Sequence, residues 1–227
     1  MKGKLIVVEG TDCSGKETQT NLLFEKLVNE NIEVYKTSFP MYDTPTGKII
    51  GGPYLGKQYI GDGWFSEGAS NVDPKVAALY FAADRKYNIG KINDMLDKGI
   101  SVILDRYVYS NMAHQGGKML DDKERLNMYA WLDILEFKLL DLPKPDIALF
   151  LHMPYECAIE LKEHRSESSD QHENNPEHLK HAEKAYIELA QNYKWKTIEC
   201  AYNNQVRSIE DINNEVYIYV IDKIKNS

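Results

Sequence analysis

Long apolar runs are missing from this 227-residue chain. None approaches the ~20 residues that a membrane-spanning helix needs, so a helical membrane protein is excluded. The apolar stretch in the opening MKGKLIVVEG is short and meets charge and glycine at once, so no secretory leader is expected. Cysteine is scarce: Cys13, Cys157 and Cys200 are odd in number and far apart, and no C-x-x-C occurs. That excludes a disulfide framework and predicts reduced thiols in a cytoplasmic protein. Positive charge is in deficit, with 27 Lys and Arg against 35 Asp and Glu, a net charge of −8. A broad nucleic-acid-binding surface is therefore not expected, although a small polyanion can bind where the few cations gather. Internal repeats and low-complexity linkers are also lacking.

What remains is an ordinary globular composition, 43% hydrophobic and 27% charged. The length suits one α/β domain spanning residues 1–227. Short apolar runs alternate with longer stretches of helical spacing. Strands are predicted at Lys4–Glu9, in IEVYKTSFP up to Pro40, in ISVILDRY up to Asp105, in DIALFLHM and in WKTIEC. Between them, Leu23, Phe24, Leu27 and Val28 predict one helix. Val76, Leu79, Tyr80, Ala83, Ile92 and Leu96 predict a long amphipathic helix over 75–98. Further helices are predicted over 121–140 and 176–193, and SIED at 208–211 reads as a capping box opening the last one. The glycine-rich stretch 43–73 reads as a short helix near 45–57 followed by loop. Strands apolar on both faces and separated by helices imply a five-stranded parallel sheet flanked by helices. Ligands of such sheets bind at the carboxyl ends of the strands, which puts Glu9–Lys16, Ser38–Tyr42, Asp105–Tyr107 and the 153–175 segment on one edge.

The first of those ends reads EGTDCSGKET, with Gly10, Gly15 and Lys16 at phosphate-loop spacing between a strand and a helix. In this P-loop NTPase arrangement Gly10, Thr11, Asp12, Cys13, Ser14, Gly15 and Lys16 turn consecutive N–H groups toward an anion, and the following helix adds its positive end. Glu17 stands where the pattern has a hydroxyl that helps hold magnesium. Three readings are open: Glu17 faces solvent and Thr18 or water takes the hydroxyl's place, Glu17 itself ligates magnesium, or the site is damaged. Asp105 closes an apolar strand and is the candidate metal residue, and Arg106 beside it is suited to gripping a phosphate. A guanine-reading N-K-x-D run is absent, which argues against a GTPase. His178 and His181 lie one turn apart without an apparent third metal ligand.

The ordered set EGTDCSGK, FP at 39–40, FAADR at 81–85 and DRYVYSNMAHQGG at 105–117 resembles the thymidylate kinase family over nearly the whole chain. The resemblance implies transfer of a phosphoryl group from ATP, with Mg2+, to thymidine 5′-monophosphate. It implies that Phe81 stacks on the thymine ring, that Arg85 hydrogen-bonds the base, and that Asn111 and Gln115 line the same pocket with Phe39, Pro40 and Ser110. Arg106 and Tyr42 would hold the acceptor phosphate and Asp12 would sit near the acceptor sugar. Lys16 and Thr18 would hold the donor phosphates. A lid near 154–176 would bring a cation, for which Arg165 is the candidate, although the segment is more acidic than the family's arginine-rich lids. A homodimer packed through helices is implied as well. The neighbouring alternatives are a kinase for another pyrimidine nucleotide or a deoxynucleoside, and a nucleotide-binding homologue without catalysis.

Overall fold

The computed structural model describes residues 2–163 and 175–226. Five strands, β1 (Leu5–Gly10), β2 (Val34–Ser38), β3 (Ser101–Asp105), β4 (Ile147–His152) and β5 (Lys196–Glu199), form a single sheet in the order β2-β3-β1-β4-β5. Every pairing in it is parallel, with Val8 opposite both Asp105 and Leu149. The carboxyl ends of the strands therefore share one edge. A separate two-stranded hairpin, β6 (Ala201–Tyr202) and β7 (Gln205–Val206), follows β5.

Why the sheet is covered on both sides is visible in β1. Leu5 and Val7 enter a core with Ile89, Ile92, Leu104, Tyr107, Met112 and Tyr186. Ile6 and Val8 enter the opposite core with Leu23, Leu27, Leu151, Val216 and Val220. Alternation with period two thus divides one apolar run between two layers. The first layer is built by α3 (Pro74–Asp97), α4 (Val108–Gly116), α5 (Asp122–Asp133) and α7 (Pro176–Tyr193), the second by α1 (Lys16–Asn29) and α8 (Ile209–Lys225). The predicted cap of the last helix is present, with Ser208 Oγ accepting from the Asp211 amide at 3.1 Å. The helix predicted over 121–140 widens after Asp133 into a π-helical turn, Ile134–Leu139.

Two expectations change. On α1, Leu23 and Leu27 are buried but Val28 is exposed. On α3 the buried face is made of Ala77, Ala78, Ala82, Asp84, Arg85, Ile89, Ile92 and Leu96, while Val76, Leu79 and Ala83 face outward. The first half of the helix turns small and charged residues inward, where Phe81 and Arg85 line the cavity, while Ile89, Ile92 and Leu96 in its second half pack in the core. The stretch 43–73 is also more ordered than its composition suggests. After α2 (Pro45–Ile49), a π-turn at Ile50–Tyr54 leads into a third, small core of Ile50, Tyr54, Leu55, Ala69, Val72 and Ala77. A short helix near 45–57 is therefore right in place, and the loop beyond it is packed.

Asp84 ties that segment to α3. Its buried carboxylate accepts from the Met41 amide at 3.0 Å, Thr46 Oγ1 at 2.7 Å and Asn88 Nδ2 at 2.8 Å. Replacing it strands these donors, each worth about 1–3 kcal/mol when left unsatisfied. Asp84→Ala is expected to lower the unfolding free energy by about 2 kcal/mol or more in a urea titration, and an unchanged midpoint would remove Asp84 from this role.

Candidate active site

The loop joining β1 to α1 depends on two glycines for different reasons. A Cβ on Gly10 would stand 2.5 Å from Ser14 Oγ and 2.8 Å from the Leu151 carbonyl oxygen, so the chain passes too close to β4 for any side chain. Gly15 has φ 77°, in the left-handed region, and caps α1. The free N–H groups of the first turn of α1 open on the loop. Lys16 folds back over it, donating to the Thr11 carbonyl at 2.6 Å and to Ser14 Oγ at 3.5 Å. Burial, with the Arg106 guanidinium nearby, lowers the Lys16 ammonium to about 8, and Asp12 and Asp105 oppose that shift. The group is thus mostly protonated at neutral pH yet largely stripped of water. Glu17 and Thr18 are both exposed on the first turn.

Where β3 ends, Arg106 takes φ 66° and turns its guanidinium into the same space. It pairs with the Asp12 carboxylate. It also donates to Ser110 Oγ at 3.4 Å, Tyr186 OH at 3.3 Å and His114 Nε2 at 3.4 Å. A guanidinium only donates, so His114 Nε2 is the acceptor and its Nδ1–H points to His178 Nε2, 3.1 Å away. Asp105 lines the cavity, and its Oδ1 is buried without a hydrogen-bond partner. Behind this group lies Glu9, fully buried, accepting from the amides of Tyr107 at 2.8 Å and Ser110 at 3.2 Å and from Ser110 Oγ at 2.6 Å. Burial pushes its pKa up and the Ser110 hydroxyl opposes the shift.

Farther along α3 and α4 the wall becomes flat and amide-rich. Phe81 stands edge-on to Tyr54 with ring centres 5.6 Å apart. Arg85 is buried and forms a two-pronged ion pair with Glu136. Asn111 Nδ2 donates to Glu136 Oε1 at 2.9 Å and to the Ala78 carbonyl at 3.1 Å. Asn111 Oδ1 and both amide atoms of Gln115 are buried with no partner among the described residues.

A single cavity of about 800 Å³ joins these parts. Asp12, Cys13, Gly15, Lys16, Glu17, Thr18, Phe39, Pro40, Tyr42, Phe81, Arg85, Asp105, Arg106, Ser110, Asn111 and Gln115 all line it. Gly10, Thr11 and Ser14 stand behind its wall and shape the loop. Arg165 lies outside the described residues, as does the 164–174 part of the expected lid segment; α6 (Tyr155–Glu163) precedes that part. Sequence reasoning missed Glu9, His114, Tyr186 and Glu136. For Glu136 a signal existed, a lone acid within the apolar run ILEFKLL.

Comparison with known proteins points the same way. The thymidylate kinase family profile matches residues 8–215. Thymidylate kinase of Plasmodium falciparum is 32% identical over 99% of this chain and 92% of that protein. The probable thymidylate kinase of Pyrococcus abyssi is 32% identical over 97% of each chain. The solved structure of thymidylate kinase from Candida albicans, described as revealing the origin of a broad substrate specificity, superposes with a TM-score of 0.74. It is 26% identical and covers 99% of this chain and 93% of that one. Matched by the family profile and by these relatives over nearly its whole length, the chain belongs to the thymidylate kinase family.

Proposed function

We propose that the cavity holds ATP at the β1–α1 loop and thymidine 5′-monophosphate between Arg106 and Phe81, in line for direct transfer. As a thymidylate kinase, the chain moves the γ-phosphoryl group of ATP to a phosphate oxygen of thymidine 5′-monophosphate, releasing ADP. The observation that carries the site assignment is the single cavity. It is lined by the β1–α1 loop, by the half-buried Arg106 and by the amides of Asn111 and Gln115, which supports a donor at the first, an acceptor phosphate at the second and an acceptor base at the third.

Phosphoryl transfer asks the protein mainly for alignment and positive charge. In this reading Lys16 and the first turn of α1 take the donor phosphates. Arg106, with Tyr42 beside it, takes the acceptor phosphate, exchanging its pairing with Asp12 for the ligand. Phe81 lies against the base. Arg85 donates to the 4-carbonyl of thymine and Asn111 Oδ1 accepts its N3–H. Cytosine presents an acceptor and an amino group at those places and mismatches both, which disfavours it by about 1–3 kcal/mol per unpaired group. Arg165 is the proposed lid cation.

Magnesium fits the residues present: Asp105 offers a buried carboxylate oxygen that nothing in the protein satisfies. No cluster of three acidic, histidine or cysteine ligands occurs among the described residues, which suits a cation that keeps water and takes substrate phosphates. Asp105, with Thr18 or water in place of the missing loop hydroxyl, would hold it, and when bound it neutralises charge on the transferring phosphates. Glu17 is read as staying outside the metal site, because a carboxylate against the donor phosphates would be repelled by their oxygens, whereas turned outward it benefits from the helix N-terminus. No helix among the described residues is long and apolar enough to cross a membrane. With all three cysteines free, a cytoplasmic setting is proposed. A homodimer is proposed through the outward stripe of α3, where Val76, Leu79 and Tyr87 are 43%, 50% and 62% exposed.

A coupled assay of ADP release with thymidylate as acceptor tests the whole reading. In it, Lys16→Ala is expected to lower turnover at least ~100-fold while leaving the melting temperature within a few degrees; a variant that keeps most of its turnover places the donor elsewhere. Glu17→Ser is expected to change kcat/KM for Mg·ATP by no more than about fivefold, because an outward carboxylate contributes only ~0.3–1 kcal/mol through the helix dipole. A loss of orders of magnitude would make Glu17 a metal ligand. For the dimer, Leu79→Asp is expected to halve the mass seen by light scattering, and a wild-type chain already monomeric at micromolar concentration removes the interface.

A further inference from the structure

Glu136 holds, at one carboxylate, both of the side chains assigned above to reading the base. We propose that Glu136 is the positioning residue that sets which pyrimidine edge the site accepts. The proposal rests on the reading of that end of the cavity as the base pocket.

The carboxylate is completely buried on the π-helical turn Ile134–Leu139. Such turns recur at functional sites, because the extra residue re-aims a side chain. A buried acid is tolerated only when its charge is paired and its oxygens are satisfied. Here three donors meet it: Arg85 Nε, Arg85 NH2 at 2.7 Å and Asn111 Nδ2 at 2.9 Å.

The consequence for Asn111 is a fixed orientation. An asparagine amide can offer either end, and the two are alike in shape. Nδ2 of Asn111 faces two acceptors, Glu136 Oε1 and the Ala78 carbonyl. Turning the amide over would set oxygen against two oxygens. The carboxylate therefore leaves Oδ1, an acceptor, as the end available to a ligand. The same contact fixes Arg85. With Nε and one NH2 proton on Glu136, and NH1 reaching the Tyr107 carbonyl at 3.4 Å, the guanidinium plane cannot swing. What Glu136 produces is a donor beside an acceptor, complementary to a 4-carbonyl beside an N3–H. Gln115 has no such anchor, since neither end of its amide has a partner. It can turn to suit either edge and discriminates little alone.

Removing the charge while keeping the shape should unlock that choice. In Glu136→Gln the new amide group brings a donor against Arg85 or against Asn111 Nδ2. One contact that holds the Asn111 amide is lost, and its nitrogen can turn toward the ligand. The experiment measures kcat/KM for the 5′-monophosphates of thymidine, deoxyuridine and deoxycytidine on wild type, Glu136→Gln and Glu136→Asp. Glu136→Gln is expected to reduce the preference for thymidylate over deoxycytidylate at least ~10-fold, mostly through the acceptor KM. The KM for ATP should be unchanged. Thymidylate and deoxyuridylate share the same edge, so their ratio is expected to stay within about twofold. Glu136→Asp keeps the charge and should retain more of the preference than Glu136→Gln. If Glu136→Gln does not fold, the test passes to Glu136→Asp, which shortens the reach to Asn111: a weakened preference there supports the role and an unchanged one removes it.

All three acceptors falling together, or a preference unchanged in both variants, would overturn the proposal and leave Glu136 a packing residue. Arg85→Ala and Asn111→Ala separate that failure from failure of the pocket itself. If they weaken thymidylate and not ATP while the Glu136 variants keep the preference, only the role of Glu136 falls. If they leave the thymidylate KM unchanged, the pocket reading falls and takes this proposal with it.

Discussion

The working edge of the sheet is held in register by a carboxylate that never meets solvent. Glu9 stands next to last in β1, and its oxygens take up the amides of Tyr107 and Ser110 and the hydroxyl of Ser110, with Tyr186 OH also at 3.3 Å. β1 carries the phosphate loop, α4 carries the polar wall of the cavity, and Tyr186 belongs to α7. One buried acceptor thus fixes the spacing of three elements that sequence separates by up to 177 residues. A buried carboxylate survives only with such partners, so the same hydrogen bonds that satisfy Glu9 impose the geometry on everything in front of it. The left-handed turn at Arg106 lies immediately before its two anchoring points, Tyr107 and Ser110.

A second rule governs charge. The protein is acidic, yet its cavity must receive two polyanions. It does so by burying a few cations and giving them internal partners: Arg106 with Asp12, Arg85 with Glu136, and Lys16 with backbone and hydroxyl oxygens. Each arginine pair is neutral without a ligand, which avoids the cost of an isolated buried charge. The two arginines differ in what their partners allow. Glu136 is completely buried and shared with Asn111, so Arg85 stays locked. Asp12 and Arg106 both keep some exposure, which suits the proposed exchange of Asp12 for a phosphate.

Much of this was legible in the sequence because it rests on local pattern. The phosphate loop, the five strands and the helix over 176–193 follow from glycine spacing, apolar runs and period 3.6. The side chains proposed to read the base were singled out through their resemblance to a known family rather than through spacing. What escaped depends on contacts between distant segments. Periodicity found Ile92 and Leu96 but misplaced Val76 and Leu79, because the first half of α3 turns alanines, Asp84 and Arg85 inward and leaves the larger apolar residues outside. Glu9 read as the end of a strand, and Glu136 as one polar residue on a helix, since the donors that give each its meaning lie 98 and 51 residues away in the chain. The packing of 43–73 escaped for a related reason: its small core is completed by Ala77 from another helix.

That small core sets how the cavity exchanges its contents. Ile50, Tyr54, Leu55, Ala69 and Val72 pack on one another and on the start of α3, apart from the two layers that cover the sheet. Tyr42, Leu55, Lys57 and Phe81, all bordering the cavity, belong to this annex or lean on it. A unit with its own few apolar contacts opens at a lower free energy than the sheet it rests on. This side of the cavity can therefore breathe as a unit while the β1–α1 loop, packed against β4, stays rigid, and amide hydrogens on 50–72 should exchange well before those of β1.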